Sequence, residues 1–244
     1  DLSAIRICPD LPTHAKEDVQ LALQKYAAVF EGFPNSLPKP FDHPPIELLF
    51  KEDAQPQSVP EPRWSYGYGA VVRKWAEDGL ANGSLEHSQS SWASRPHVVL
   101  KPPSGETAAA ANLADCKLRI CGDYRMVNTQ ITKKTPNLPT GTHQLEIAAG
   151  HSFYFESDSV ACYSSFRLAA GKSREALAIW TPIGLVQPTV LPFGQKNSGT
   201  EAQGPYRTAS RLLHNISNYV DDWLGYANTI DELLKNFTEF LRVC

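Results

Sequence analysis

NYVDDWLGY, residues 218–226, places two adjacent carboxylates, Asp221 and Asp222, between aromatic and apolar residues. An ionised carboxylate beside a core needs a partner, since burying an unpaired charge costs several kcal/mol. Two interpretations are open. The flanking residues are typical of strands, so the segment predicts a β-hairpin whose turn carries both aspartates into solvent. Alternatively, the turn presents the two carboxylates to a cation such as Mg²⁺, which prefers oxygen ligands.

A two-metal site needs at least one more carboxylate from elsewhere in the chain. Asp158 is the natural candidate, because it lies in FYFESDS, residues 153–159, five residues before Tyr163. That segment is a strand candidate, although serine is a poor strand residue.

Helical and strand-like patterns alternate along the chain without a strict βαβ order, which favours an α+β fold. We predict helices at residues 16–30, 67–78 and 229–244, the second ending at Gly79 and the third opening on a capping box of Thr229 and Glu232. Strands are predicted at 97–101, 117–125 and 152–159, with a long loop between the first two. Residues 31–62 are rich in proline and predict an extended leader across the rest of the molecule.

Composition sets limits on the class of protein. The 244 residues, 42% of them hydrophobic, suit one large domain or two small ones with a real core. We expect no membrane span and no signal peptide, because no long apolar run is present and the first residues lack the pattern of a signal. Five scattered cysteines without a CxxC pair argue against a zinc site or a disulfide framework and favour a reducing compartment.

Charge is unevenly distributed. The net formal charge of −3 does not by itself indicate a nucleic-acid partner. Residues 1–60 carry −4 (5 basic, 9 acidic), residues 61–140 carry +3 (10 and 7), and residues 141–244 carry −2 (8 and 10). The basic middle third is a weak indication of a phosphate-bearing partner, and ordinary variation between solvated faces explains it equally well.

Five short motifs, taken in order, resemble the reverse transcriptase of the pol polyprotein of gypsy-type LTR retrotransposons. They are SSWASRPHVVLK (90–101), LRICGDYRMVN (118–128), FESDSVACY (155–163), LPFGQKN (191–197) and YVDD (219–222). Each motif alone is weak, but five in the right order at nearly the right spacing are specific. The resemblance covers about residues 62–244, and the earlier segment YAAVFEGFPNSLPKP is similar to the one that precedes the polymerase in those elements.

The resemblance implies the fingers and palm of a right-hand polymerase, preceded by an N-terminal helix and proline-rich leader at residues 1–61. The fingers would comprise about 62–132 and 166–197, and the palm about 133–165 and 198–244. The sequence ends before the primer grip, thumb, connection and RNase H parts of the family, so we expect a fragment truncated before the thumb.

The resemblance also implies site residues. Asp158, Asp221 and Asp222 would be the catalytic metal ligands for two Mg²⁺ ions, with Mn²⁺ as an alternative; the first two would bridge both ions and Asp222 would bind more weakly. Four residues would bind the dNTP, and Arg125 would bind the template backbone. Those four are Lys101, Arg119, Tyr163 and Phe193.

Structural alternatives stand beside these roles. Lys101 would otherwise be a solvated strand end, and Tyr163 and Phe193 core aromatics. Arg125 is equally explained by an ion pair with Asp123.

Residues 197–213, NSGTEAQGPYRTASRLL, depart from the family pattern. Ala202 stands where the family has an aromatic residue, and Gly204–Pro205 is expected to break the helix, since an interior proline costs about 3 kcal/mol. The departure indicates either a divergent lineage or a decayed genomic copy.

Two functions follow. The first is an RNA-directed DNA polymerase that extends a primer on an RNA or DNA template with dNTPs, alongside the remaining pol domains. The second is an inactive remnant that binds nucleic acid or a protein partner. The family implies a cytoplasmic location in a virus-like particle, with the nucleus as the alternative.

Overall fold

The computed structural model describes residues 5–30, 36–101, 117–135 and 141–244, and the chain divides into two compact units. The first unit comprises Asp1–Pro34, Thr135–Cys162 and Gly199–Cys244. The second comprises Asn35–Lys134 and Tyr163–Ser198. Each unit is therefore assembled from segments that are separated in the sequence. The loop predicted to join the first two strands, residues 102–116, lies outside the described residues.

Helices and strands are mixed, as the α+β prediction requires. Within the described part of the chain, the α-helices are α1 (Thr13–Lys25), α2 (Tyr66–Asn82), α3 (Arg125–Gln130), α4 (Gly141–Ala148), α5 (Lys172–Glu175), α6 (Ser198–Ser210) and α7 (Ile230–Val243). The strands are β1 (Leu85–His87), β2 (Pro96–Lys101), β3 (Lys117–Gly122), β4 (Phe153–Asp158), β5 (Ile179–Thr181), β6 (Gly184–Pro188), β7 (Ile216–Tyr219) and β8 (Asp222–Ala227). Short 3₁₀ turns occupy Ala27–Phe30 and Cys162–Ser165.

The first unit is built on an antiparallel sheet in the order β4-β8-β7. Helix α7 covers one face, where Phe155 of β4 packs on Phe237 and Phe240 with ring centroids 5.1 and 5.5 Å apart. Trp223 of β8 packs on Phe240 at 5.3 Å. This aromatic core packs against the paired strands β4 and β8. Because β4 ends and β8 begins at the same end of the sheet, which we call its edge, each strand places an aspartate there.

The second unit contains a small sheet in the order β1-β6-β5 and the hairpin of β2 and β3. Its core is formed by aliphatic side chains that are at most 2% exposed, including Leu168, Leu177, Ile179, Val186 and Leu191. The described residues of the proline-rich segment contain no helix and join this unit through isolated bridges, among them Ile46 with Leu168 and Phe50 with Ile131.

The predicted end of α2 is wrong by one turn. Gly79 lies buried inside the helix, where a Cβ would meet the side chain of Leu85. The left-handed cap is Gly83, with φ of 79°. Of these two glycines, only the second adopts the conformation that favours glycine.

The predicted break at Gly204–Pro205 is also wrong, because α6 continues through Pro205 to Ser210. A proline disfavours the helical conformation of the residue before it, partly through a clash with that residue's Cβ. Gly204 has no Cβ, so part of this clash is absent. The proline cannot donate a backbone hydrogen bond, but the helix extends five residues beyond it, to Ser210.

The predicted capping of α7 is confirmed at its first residue. Thr229 is the N-cap, and its hydroxyl accepts the N–H of Glu232 at 3.2 Å. Among the described residues, no helix combines the length and apolar character needed to cross a bilayer.

Candidate active site

The segment that carries Asp221 and Asp222 is a β-hairpin, as both interpretations of the sequence require. Strands β7 and β8 pair with Tyr219 opposite Asp222, which leaves Val220 and Asp221 as a two-residue turn. Asp222 begins β8 and lies directly opposite Asp158, the last residue of β4. Since directly opposed residues of antiparallel strands project to the same face, these two carboxylates share one side of the sheet.

The three predicted aspartates come together at this edge. One carboxylate oxygen from each of Asp158, Asp221 and Asp222 can be chosen so that all lie within 4.8 Å of one another, and all three residues are exposed. Partial burial and the charges of Asp221, Asp158 and Glu156 raise the pKa of Asp222 above its usual range. A cation would relieve this repulsion. A cluster made only of carboxylate oxygens suits Mg²⁺ or Mn²⁺, so the residues fit the expected metals.

The turn is held in an unusual conformation. Val220 has a φ of 55°, in the left-handed region that is a genuine outlier for a β-branched residue. Its N–H donates to Oε1 of Gln203 on α6 at 2.6 Å, and its carbonyl accepts from Nδ2 of Asn218 at 3.1 Å. On the other side, the N–H of Ser159 donates to the carbonyl of Asp221 at 2.8 Å, which joins the turn to the residue after Asp158.

Buried aromatic residues support the same edge. Trp223, next to Asp222, donates its indole N–H to the hydroxyl of Ser159 at 2.9 Å and packs on Tyr206 of α6 at 5.5 Å. Cys162 is also buried here; this burial, and more weakly the negative charges of Asp221 and Asp158, raises the pKa of its thiol to about 11. The backbone that carries the carboxylates is therefore supported by the packed side chains of Trp223, Tyr206 and Cys162.

The second unit brings together three of the four residues predicted to bind dNTP. The guanidinium of Arg119, on β3, lies over the ring of Phe193 at 5.5 Å, and Phe193 packs edge-on against Tyr163 at 4.8 Å. Phe193 is 48% exposed, so it is not the core aromatic that the structural alternative requires. Gly194, with φ of 85°, makes the turn that follows Phe193. We refer to Arg119, Tyr163 and Phe193 as the aromatic cluster.

Two further residues of the predicted site are Lys101 and Arg125. Lys101 ends β2 opposite Lys117 of β3, and the structure does not describe its side chain. Arg125 forms an ion pair with Asp123 at 2.6 Å, as the alternative predicts, while its side chain stays 89% exposed. Arg125 and Asp123 line a cavity of about 380 Å³ that also includes Arg95. The roles assigned to all these site residues stay predictions.

Sequence reasoning missed the polar residues that hold the turn. Ser159 has a low strand propensity and no other local signal. Gln203 lies in a helix that Gly204–Pro205 is expected to break. Asn218 directly precedes the YVDD motif, and a polar residue beside a metal-binding turn is the one signal that could have identified it.

The fold is that of known reverse transcriptases. The chain superposes on the foamy viral protease-reverse transcriptase in complex with an RNA/DNA hybrid with a TM-score of 0.77 and 18% identity, over 96% of this chain and 30% of that one. For the native prototype foamy virus enzyme the TM-score is 0.78 with 17% identity over the same shares. For a complex of the enzyme with dsDNA it is 0.74 with 18% identity, over 96% of this chain and 44% of that one.

The chain thus spans between 30% and 44% of these proteins. No protein-family model matches the sequence, and no curated protein matches it. The likeness is one of structure, and it shows that this chain has a mixed helix and sheet fold of the reverse-transcriptase type.

Proposed function

We propose that the chain is part of an RNA-directed DNA polymerase of a gypsy-type LTR retrotransposon, which adds dNTPs to a primer by two-metal nucleotidyl transfer. The main support for this proposal is that carboxylate oxygens of Asp158, Asp221 and Asp222 lie within 4.8 Å of one another, in a fold shared with reverse transcriptases. Structural likeness at 17–18% identity shows the fold alone. Three exposed carboxylates, one from β4 and two from the β7–β8 hairpin, are a more specific requirement.

Asp158 and Asp221 would be the main ligands of two Mg²⁺ ions, and Asp222 would be a weaker one. Such ions, when bound, would supply the charge needed to activate the primer 3′-hydroxyl and to neutralise the leaving pyrophosphate. The protein's own contribution is to hold the three carboxylates at one sheet edge before the ions arrive. The pairing of Asp158 with Asp222 and the hydrogen bond from Ser159 to the Asp221 carbonyl support that role.

The aromatic cluster is proposed to bind the dNTP. Arg119 offers a planar guanidinium with several donors, which suits a phosphate, and its position over Phe193 restricts how it can turn. Tyr163 is proposed to lie against the sugar and to exclude a 2′-hydroxyl by contact. Its ring is held edge-on by Phe193, so it cannot move aside without losing that contact. Lys101 is proposed as a second cation for the triphosphate.

Nucleic acid is the proposed partner. The foamy virus structures include complexes with an RNA/DNA hybrid and with dsDNA. Arg125 is proposed to contact the template backbone, for which its ion pair with Asp123 would have to open. We further propose that the remaining pol domains accompany this chain and that it acts in a cytoplasmic virus-like particle, with the nucleus as the alternative.

The interpretation as an inactive remnant rested on the expected break in residues 197–213. Helix α6 is continuous there, and its Gln203 binds the turn that carries Asp221. This observation weakens that one reason for the remnant, while the replacement of the family's aromatic residue by Ala202 still stands for it.

Primer extension on poly(rA)/oligo(dT) with Mg²⁺ tests the proposal. We expect the 244-residue chain, or the same chain joined to the proposed further pol domains, to incorporate dTTP, and EDTA to stop the reaction. If the joined protein binds the hybrid and yet incorporates no dTTP with either Mg²⁺ or Mn²⁺, the polymerase proposal is wrong and the remnant takes its place.

A further inference from the structure

Two buried amide side chains, Gln203 of α6 and Asn218 of β7, form a continuous chain of hydrogen bonds beneath the turn of Val220 and Asp221. Gln203 is 0% exposed and Asn218 is 5% exposed. Nε2 of Gln203 donates to Oδ1 of Asn218 at 2.9 Å. Nδ2 of Asn218 donates to the carbonyls of Val220 and Asp222 at 3.1 and 3.3 Å. We refer to Gln203 and Asn218 as the amide pair.

The direction of every bond in the amide pair follows from one backbone group. The N–H of Val220 can only donate, so it fixes Oε1 of Gln203 toward the turn at 2.6 Å. Nε2 of Gln203 must then face Asn218, which leaves Nδ2 of Asn218 for the two carbonyls. The pair is satisfied in one orientation only, and satisfied buried amides of this kind favour a single conformation of what they bind.

The conformation that they bind is one that valine resists. In a two-residue hairpin turn whose first residue has a positive φ, that position favours glycine. Here it is occupied by Val220, with φ of 55°. Both the N–H and the carbonyl of Val220 are held by the amide pair. Without these bonds the turn can adopt other backbone conformations. Repulsion among the three carboxylates would favour those conformations that separate the charges.

We propose that Gln203 and Asn218 are positioning residues of the candidate metal centre. They hold Val220 in the left-handed conformation and so set the place of Asp221 relative to Asp158 and Asp222 before a metal binds. This inference rests on the proposed function for the presence of a metal. The part that concerns the conformation of Val220 does not depend on the proposed function. Neither amide touches the carboxylates in the described contacts; each acts through the backbone of the turn.

Asn236 on α7 provides a matched control. It is also a buried asparagine, 4% exposed, and its Nδ2 donates to a backbone carbonyl, that of Tyr226, at 3.4 Å. Asn218→Leu and Asn236→Leu are therefore the same chemical change at two equally buried sites of one unit. Only the first removes bonds to the turn. Gln203→Met, which keeps the length of the side chain, is the second test variant.

The first measurement is Mn²⁺ binding to the 244-residue chain by calorimetry, with Asp221→Asn as the reference for loss of the centre. We expect Asn218→Leu and Gln203→Met to raise the Kd about tenfold, the usual effect of removing a residue that orients a metal ligand. We expect Asn236→Leu to leave it unchanged. Adding Val220→Gly to Gln203→Met should restore part of the affinity, because glycine adopts a positive φ without help. A general loss of packing would not be repaired in this way.

The second measurement needs no metal. Hydrogen exchange of the Val220 amide should be slow in the parent and in Asn236→Leu and clearly faster in Gln203→Met. Unchanged exchange at Val220 in a folded Gln203→Met variant would overturn the inference, and so would parental Mn²⁺ affinity in both test variants. If instead Asp221→Asn binds Mn²⁺ as the parent does, the proposed metal centre fails, and hydrogen exchange alone then decides whether the pair holds the turn.

Discussion

Asp158 and Asp222 face each other across the β4–β8 ladder, each at the end of its strand. Two like charges directly opposite are destabilising in an antiparallel sheet, and no stability argument favours them here. The arrangement therefore calls for a cation. It also separates the roles of the three aspartates, because Asp221 lies in the turn while the other two are fixed by strand pairing.

Removing single carboxylates should show that separation. We expect Asp158→Asn and Asp221→Asn to lower primer extension roughly a thousandfold or more, a loss of several kcal/mol of transition-state stabilisation. Asp222→Asn should lose less, because the proposal gives it the weaker share of the metals. The measurement is the single-turnover rate of primer extension by the 244-residue chain joined to the proposed further pol domains. Glu156→Gln is the matched control, since Glu156 is a carboxylate on the same strand and should be dispensable. Parental activity in Asp221→Asn would refute the assignment.

Sugar selection should depend on the ring of Tyr163. Tyr163→Val should admit ribonucleotides while changing the use of dNTPs much less, because the smaller side chain leaves room for a 2′-hydroxyl. The measurement is the ratio of kcat/KM for dTTP and UTP. Tyr66→Val serves as a control, since Tyr66 is a tyrosine of the same unit that is 96% exposed. Equal discrimination by Tyr163→Val and the parent would mean that the ring only supports Phe193.

Cys162 should resist alkylation in the folded protein. Burial raises the pKa of its thiol to about 11, so at neutral pH almost none is thiolate, the reactive form. With N-ethylmaleimide at that pH, we expect exposed Cys8 to react at least about ten times faster than Cys162. Peptide mass spectrometry measures both rates in one sample, and the difference should vanish in urea. Equal rates in buffer would contradict the packing described around Trp223 and Tyr206.

Affinity for a primer-template should be weak and dependent on salt. Such binding comes mostly from basic side chains on phosphates, and this chain has a net charge of −3 with its basic excess confined to residues 61–140. We expect the 244-residue chain to bind a labelled hybrid no better than micromolar at physiological salt, and more tightly at low salt, with a shallow log–log slope. Fluorescence anisotropy across a salt series checks this. Nanomolar binding that barely changes with salt would be the contrary result.

The sequence predicts most reliably where chemistry is local. The cap of α7 by Thr229 and the hairpin around Asp221 follow from residues within a few positions of each other, and the structure has both. The meeting of Asp158 with the hairpin follows from no local pattern, since the two lie far apart in the sequence. Its prediction depends on the need of a two-metal site for a further carboxylate and on the order of the motifs.

Other features could not be read from the sequence. The sequence does not show which of Gly79 and Gly83 ends helix α2, since both are glycines. The structure places Gly79 inside the helix, packed against the side chain of Leu85. Gln203 and Asn218 are 15 residues apart, and polar residues carry no sign of burial in the sequence itself. Helix propensity disfavours Pro205, but it does not take into account that Gly204 lacks the Cβ with which the proline ring would clash.

The discontinuous make-up of the two units fixes an order of events during synthesis. The pairing of β1 with β6 joins Leu85 to Pro188, so the sheet of the second unit cannot close until the ribosome has translated the whole stretch between them. The sheet of the first unit waits longer, since β4 pairs with β8, which ends at Ala227. Contacts so distant in the chain slow folding and leave strand edges exposed meanwhile. During translation, the side of β4 that pairs with β8 therefore stays unpaired until the chain has been made as far as Ala227.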